Sequence, residues 1–180
     1  MGNRNGGPAY ATLPISHPPS PISSPAALLA VDLGLRTGLA YYGRDGRLVA
    51  YRSQNFGNRQ RLRRGAASLL REGSALEHLV LEGRGDIAEV WKKEGARRGL
   101  TVCVVDAETW RRALLLPRQQ RSGPQATEAA AGLARAVIAW SGARAPKGPL
   151  RHDAAEAIGA GLWGVLAAGW LARLPEALRR

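Results

Sequence analysis

The sequence predicts an α/β protein with one five-stranded mixed sheet flanked by helices. An Asp-Gly dipeptide at 45–46 separates two extended patterns and is typical of a β-hairpin. Two short apolar runs, HLVLEG at 78–83 and LTVCVVDA at 100–107, then alternate with helical patterns, as parallel strands joined by helices do. Three antiparallel strands followed by two parallel strands account for this order.

The antiparallel strands are expected at 28–34, 38–43 and 47–53. Gly34 and Gly38 bracket the turn between the first two, and Asp45-Gly46 forms the turn before the third. The run HLVLEG has the continuous apolar character of a central strand that is covered on both faces. LTVCVVDA is expected to be a second buried strand.

Helices are indicated where apolar residues recur at a helical period. The predicted helices cover 58–76, 85–98, a short stretch at 109–116, 125–140 and 152–174, where Pro175 ends the last one. Two basic loops, 117–124 and 141–151, precede the last two helices.

Composition divides the chain into a tail, 1–27, and a folded domain, 28–180. The tail is rich in Pro, Ser and Gly and has no acidic residue, so we expect it to be flexible; it is also compatible with a transit peptide. No apolar stretch reaches the roughly 18 residues of a membrane span, and the single cysteine, Cys103, is expected to be a buried thiol.

The charge balance indicates a polyanionic partner. Lys and Arg number 26 against 14 Asp and Glu, a formal charge of +12. Such an excess favours nucleic acid over an anionic membrane. Because nearly all the basic excess is arginine, and Ala and Gly are abundant too, genomic base composition is an alternative explanation.

Four acidic residues stand in apolar or small-residue surroundings. Asp32 interrupts the first apolar strand, and Glu82 closes the run HLVLE. Asp153 and Glu156 are three residues apart, so they share one face of a helix. Each alone also fits a structural role, as a turn residue, an exposed strand end or a helix cap. Together, converging carboxylates require a cation, and oxygen ligands favour Mg²⁺ or Mn²⁺.

The order of these motifs resembles the RuvC-type Holliday junction resolvases, which have the RNase H-like fold of the retroviral integrase superfamily. AVDLGLRTGLAYY resembles the first-strand motif of that family, LVLEG resembles the strand that carries its catalytic glutamate, and RHDAAEA is similar to its last motif. The resemblance covers 28–171.

The resemblance implies a metal-dependent nuclease. Asp32, Glu82, Asp153 and Glu156 would hold two Mg²⁺ ions, with Mn²⁺ as a substitute, for in-line phosphodiester hydrolysis. His152 would contact the scissile phosphate or adjust the carboxylates, or else face solvent. Glu156 stands where the family commonly has aspartate, and its longer side chain leaves the position of the second metal open.

The implied substrate is a four-way DNA junction, cut by a homodimer because paired nicks need two related sites. DNA contacts are assigned to Arg84, Lys92, Lys93, Arg118, Arg121 and Lys147, with Arg111 among other basic residues around the predicted cleft. The implied location is the cytoplasm at the nucleoid, or an organelle if the tail is a transit peptide. The alternatives are another RNase H-like nuclease, such as one that trims ribosomal RNA precursors, and a catalytically silent DNA-binding protein.

Overall fold

A computed structural model describes residues 25–73 and 75–179, and in this part of the chain a single five-stranded sheet has the order β3-β2-β1-β4-β5. The strands are β1 (Leu28–Asp32), β2 (Arg36–Tyr42), β3 (Leu48–Asn55), β4 (His78–Glu82) and β5 (Thr101–Val105). β1, β2 and β3 are antiparallel neighbours, whereas β1, β4 and β5 run parallel. The predicted mixed sheet is therefore confirmed.

Helices cover both faces of the sheet. They are α1 (Arg59–Glu72), α2 (Asp86–Ala96), α3 (Ala107–Leu114), α4 (Gly123–Ser141) and α5 (His152–Ala167). Apolar side chains of α1 and α2 form one core with the sheet, and those of α3, α4 and α5 form the other. The central strands are therefore covered on both sides, and α3 and α4 pack chiefly against α5.

The alternation of side chains along β1 decides which face each residue meets. Leu29 and Val31 pack in the core under α1 and α2, and Leu28 and Ala30 pack in the core under α5. Because successive side chains of a strand point to opposite faces, Asp32 lies on the α5 face.

The close seating of α5 depends on a glycine and a buried hydrogen bond. A β-carbon on Gly161 would lie 2.3 Å from the ring of Tyr42, so a larger residue there would push the helix off the sheet. The Tyr42 hydroxyl donates a 2.6 Å hydrogen bond to the backbone oxygen of Ile158. Burial raises the pKa of Tyr42, which keeps this hydroxyl a donor.

The last helix ends seven residues before the predicted position. α5 stops at Ala167, and Gly169 takes a left-handed conformation with φ +72°. The backbone N–H of Trp170 then bonds back to Val165 O at 3.1 Å, which is a typical glycine-based helix end. The expected extension to residue 174 was wrong because Trp170 and Leu171 still pack against the core after the helix has ended.

β5 is an edge strand in the described part of the chain, not a second buried strand. Val104 is 37% exposed, and Cys103 is only partly buried. Parallel-sheet strands are rich in valine, but that composition does not distinguish a central strand from an outer one. Burial still raises the pKa of the Cys103 thiol above its usual range.

The start of the domain includes at least one residue of the predicted tail. Ala27 is buried, its N–H bonds to Tyr42 O at 2.8 Å, and its oxygen accepts the N–H of Glu77. The predicted tail otherwise falls on residues 1–24, which lie outside the described residues, and on 25–26. None of the helices in the described ranges is long and apolar enough to cross a membrane.

Candidate active site

One row of paired residues crosses the sheet from β3 to β5. Its members, which we call the site row, are Ser53, Gly38, Asp32, Glu82 and Val105. Residues that are paired on neighbouring strands point to the same face. Since Asp32 faces α5, the side chains of the whole row do so too.

Asp32 and Glu82 are direct neighbours at the carboxyl ends of parallel β1 and β4. Burial, followed by the negative charges of Glu82, Glu156 and Asp153, raises the pKa of Asp32 to about 8. Burial and the charge of Glu156 raise the pKa of Glu82 to about 7. The electrostatics therefore place all four predicted acids in one cluster whose negative charge is incompletely balanced.

The beginning of α5 rests directly on the site row. A β-carbon on Gly38 would lie 1.8 Å from the backbone oxygen of Asp153, so only glycine leaves room for the helix there. The hydroxyl of Ser53 donates a short hydrogen bond to Asp153 Oδ2, and the Ala154 N–H donates to Oδ1 at 3.0 Å. The first turn of α5 is thereby fixed over β2 and β3.

Glu156 lies one turn further along α5 and is almost completely buried, with 2% of its surface exposed. Arg111 Nη2 donates to Glu156 Oε2 at 2.7 Å. The other oxygen, Oε1, has no hydrogen-bond partner among the described residues, and His152 Nδ1 lies 3.6 Å from it. His152 itself is largely exposed at the rim of the cluster.

Trp110 packs beside the acids from α3. Its indole N–H lies close enough to Glu82 to oppose the rise in the pKa of that carboxyl. The contact does not have hydrogen-bond geometry, however, and both Trp110 Nε1 and Glu82 Oε2 are buried without a partner in residues 25–73 and 75–179. Buried acceptors without donors are costly, and a cation would satisfy them.

The donor chemistry of the cluster fits Mg²⁺ or Mn²⁺. Four carboxylates supply hard oxygen ligands, and two of their oxygens are buried without a donor. As the side chains stand, no group of three or more acidic, His or Cys residues in the described ranges forms a metal-binding arrangement. In this arrangement Glu156 accepts a hydrogen bond from Arg111, and Asp153 accepts one from Ser53.

Sequence comparison with families of known proteins gives no match, and no curated protein matches either. Comparison with solved structures, in contrast, gives matches. T. thermophilus RuvC in complex with Holliday junction substrate superposes with a TM-score of 0.55 at 15% identity, over 79% of this chain and 94% of that one. This chain has the RuvC fold. The predicted RNase H-like architecture, and the resemblance to RuvC-type resolvases at the level of the fold, are confirmed.

A second solved structure similar to this chain is the yeast mitochondrial Holliday junction resolvase Ydc2. It matches with a TM-score of 0.40 at 13% identity, over 83% of this chain and 85% of that one.

Among the predicted DNA-contacting residues, Arg84 is the one that follows a member of the site row most closely along the chain. It follows Glu82 by two residues, is 79% exposed, and places Nη2 3.3 Å from Asp106 Oδ2. The residues further away line separate surfaces: Lys93 lines a groove between α1 and α2, Arg118 a groove beside α4, and Lys147 a groove beside β3. Lys92, which donates to Glu89, and Arg121 are also at the surface.

Three site residues were not predicted as such. The sequence places Arg111 only among the basic residues around the predicted cleft, and it predicts no site role for Ser53 or Trp110. The period-two alternation of β3 shows which residues share a face of the sheet with Ser53. It does not show whether that face meets α5 until the register of the hairpin is known. Nothing local distinguishes Arg111 from the neighbouring Arg112.

Proposed function

We propose that this protein is a structure-selective endonuclease that resolves four-way DNA junctions by metal-dependent hydrolysis of phosphodiester bonds. The proposal is supported chiefly by one observation. Asp32, Glu82, Asp153 and Glu156, from two strands and a helix of a RuvC fold, form one buried and charge-crowded cluster.

The four carboxylates are the proposed metal ligands. Bound Mg²⁺ would supply the positive charge that activates water and stabilises the leaving oxygen of a phosphodiester. The residues of the chain hold the ligands in place: the site row fixes Asp32 and Glu82, and Ser53 orients Asp153. His152, exposed beside Glu156, is positioned to approach a phosphate that enters from solvent.

The proposed substrate follows from charge and from the fold. A formal charge of +12 favours a polyanion, and exposed Arg84, two residues after Glu82, would contact a phosphate that approaches the acids. The lysines of α2, together with Arg118, Arg121 and Lys147, would contact phosphates farther from the cut. Such contacts position the duplex without reading its sequence.

Paired nicks in a four-way junction require two related active sites, so the proposed functional form is a homodimer. We propose that the homodimer acts at the site of its DNA substrate. This is the nucleoid in the cytoplasm, or an organelle if residues 1–27 act as a transit peptide.

The test is cleavage of labelled four-way junction, linear duplex and RNA of matched sequence, each with Mg²⁺ and with EDTA. The proposal expects paired, symmetric nicks in the junction, only with Mg²⁺, and none by Asp32→Asn. Preferential cleavage of RNA would support the alternative RNase H-like nuclease. Normal cleavage by Asp32→Asn would remove the cluster from the reaction.

A second candidate is a DNA-binding protein with a silent site. The observation that favours it is the ion pair between Arg111 and Glu156, which already neutralises one of the four acids. This candidate expects tight junction binding without cleavage in any divalent metal.

A further inference from the structure

We propose that Arg111 is an internal counter-ion of the acidic cluster and competes with the divalent metal for Glu156. This inference rests on the proposed metal-dependent function and adds to it a positioning residue. In the metal-free protein Arg111 holds Glu156; binding of the metal requires that Glu156 exchange the guanidinium for the metal.

The burial of Glu156 is the first argument. A carboxylate with 2% of its surface exposed is expensive to keep charged unless a counter-ion lies against it. Arg111 Nη2, at 2.7 Å from Oε2, is that counter-ion. The Arg111 side chain is itself only 20% exposed, so water screens the pair weakly.

The contact is also incomplete, as expected of a partner that can be exchanged. Arg111 makes one hydrogen bond to Glu156 and not the bidentate pair that guanidinium and carboxylate can form. Arg111 Nε and Glu156 Oε1 are both buried without partners among the residues that the structure describes. The guanidinium carbon lies 5.4 Å from the centre of the Trp110 ring, which provides a second surface for it.

The charge of Arg111 acts on the rest of the cluster as well. It lowers the pKa of Asp32 and of Glu82, against the larger effect of burial, which raises both. Two other basic groups lie at the rim: Arg151 Nε is 3.8 Å from Asp153, and His152 is 3.6 Å from Glu156. Both side chains are more than half exposed, so water screens the charge of Arg151 more strongly than that of Arg111, and His152 contributes a charge only when it is protonated.

A divalent ion and the guanidinium would bind the same carboxylates, and they repel each other because both are positively charged. Removing the positive charge of Arg111 therefore frees one ligand and removes a like charge near the metal. At a pH where the acids are ionised, both effects tighten metal binding, while the metal-free protein loses a counter-ion and becomes less stable.

The test measures Mn²⁺ binding to the full-length, metal-free chain without DNA, by the loss of the free Mn²⁺ signal in electron paramagnetic resonance. Arg111→Met keeps an aliphatic stem beside Trp110 and removes the charge. It is expected to bind Mn²⁺ at least about tenfold more tightly than the wild type. Mg²⁺ is also expected to raise its melting temperature more than that of the wild type.

Arg112→Met is the matched control. It removes the same charge from the next residue, whose partner Glu108 is exposed like Arg112 itself. Its Mn²⁺ affinity is expected within about threefold of the wild type, because an exposed charge is screened. Equal or weaker binding by Arg111→Met than by the wild type would overturn the inference.

The same titration separates this inference from the proposed function. If Asp32→Asn weakens Mn²⁺ binding but Arg111→Met does not change it, only the role of Arg111 fails. If the wild type does not bind Mn²⁺, or binds it as Asp32→Asn does, the proposed metal site fails as well.

A measurement on the wild type covers the case in which Arg111→Met does not fold. Exchange of the Arg111 guanidinium protons with water can be followed by NMR, with the signal assigned from its loss in Arg111→Lys. Saturating Mg²⁺ is expected to speed this exchange, because the released guanidinium reaches solvent. Exchange that Mg²⁺ leaves unchanged would contradict the competition.

Discussion

Replacing Asp32 with asparagine is expected to stabilise the metal-free protein while abolishing cleavage. The change keeps the shape of the side chain and removes a carboxyl group that resists ionisation in a crowded, buried cluster. Burial and the neighbouring acids raise the pKa of Asp32 to about 8 in the folded protein, against 3.8 for an unperturbed aspartate. The folded state therefore resists the ionisation that the unfolded chain permits.

The direction of the pH dependence follows from the proton balance. Between about pH 4 and pH 8 the folded protein keeps a proton that the unfolded chain has released, so the free energy of unfolding falls as the pH rises. At pH 7 the full shift corresponds to roughly 4 kcal/mol. Since Asp32 is only partly buried, screening reduces this, and we expect a gain of about 2 kcal/mol from Asp32→Asn at that pH.

The assay is equilibrium urea unfolding in EDTA at pH 5 and pH 8 for the wild type, Asp32→Asn and a control, Glu176→Gln. Glu176 is exposed, far along the chain from the cluster, and its replacement is expected to change stability by less than about 0.5 kcal/mol. The advantage of Asp32→Asn over the wild type should be larger at pH 8 than at pH 5. Mg²⁺ should reduce it, by stabilising only the protein that binds the metal.

One result would refute the reasoning: Asp32→Asn less stable than the wild type in EDTA, with the same pH dependence. The carboxylate of Asp32 would then be stabilised in the folded protein, and the cluster would carry no excess of negative charge.

Three further predictions use other parts of the chain. Gly38→Ala places a β-carbon against the backbone oxygen of Asp153 and is expected to cost about 3 kcal/mol in urea unfolding; a loss below about 1 kcal/mol would contradict this close contact. Binding of junction DNA by Asp32→Asn, followed by fluorescence anisotropy, is expected to weaken by about 10³ between 50 and 200 mM salt, and affinity independent of salt would argue against phosphate contacts. Deletion of residues 1–24 is expected to leave the melting temperature and junction cleavage unchanged, whereas loss of both would show that the tail is structural.

Local patterns predicted the architecture well because most of the strands and helices are determined by residues that are close in sequence. The Asp45-Gly46 turn, the apolar runs and the helical periods each depend on residues close in sequence, and together they predict three antiparallel strands followed by two parallel ones. The end of α5 was not predictable in the same way. Apolar residues after Gly169 continue to face the core, so their pattern resembles a longer helix although the backbone has turned.

The role of Ser53 depends on a β-bulge that cannot be recognised from the sequence. Val49 is skipped in the pairing of β2 with β3, which shifts the register by one residue. Gly38 therefore pairs with Ser53; without this bulge it would pair with Arg52. A regular hairpin would have brought a basic residue to Asp153 in place of a hydroxyl.

The acids themselves were identifiable because each interrupts an apolar or small-residue context. Their role as metal ligands remains a prediction. The partner of Glu156 could not be identified from sequence, because the packing of α3 against α5 selects Arg111 from 26 basic residues.

The seating of α5 makes the geometry of the site a property of the protein core. Asp32 and Glu82 belong to the sheet, whereas Asp153 and Glu156 belong to α5, so any shift of the helix moves both of them relative to the sheet. Besides the contacts at its first turn, the helix is aligned more than a turn away from its acids, where Gly161 meets the Tyr42 ring. An α-helix rises about 1.5 Å per residue, and metal–oxygen distances tolerate about 0.2 Å. A substitution at this distant contact that shifts the helix by a fraction of one residue is therefore expected to abolish the proposed metal-dependent cleavage while every acid remains in the chain.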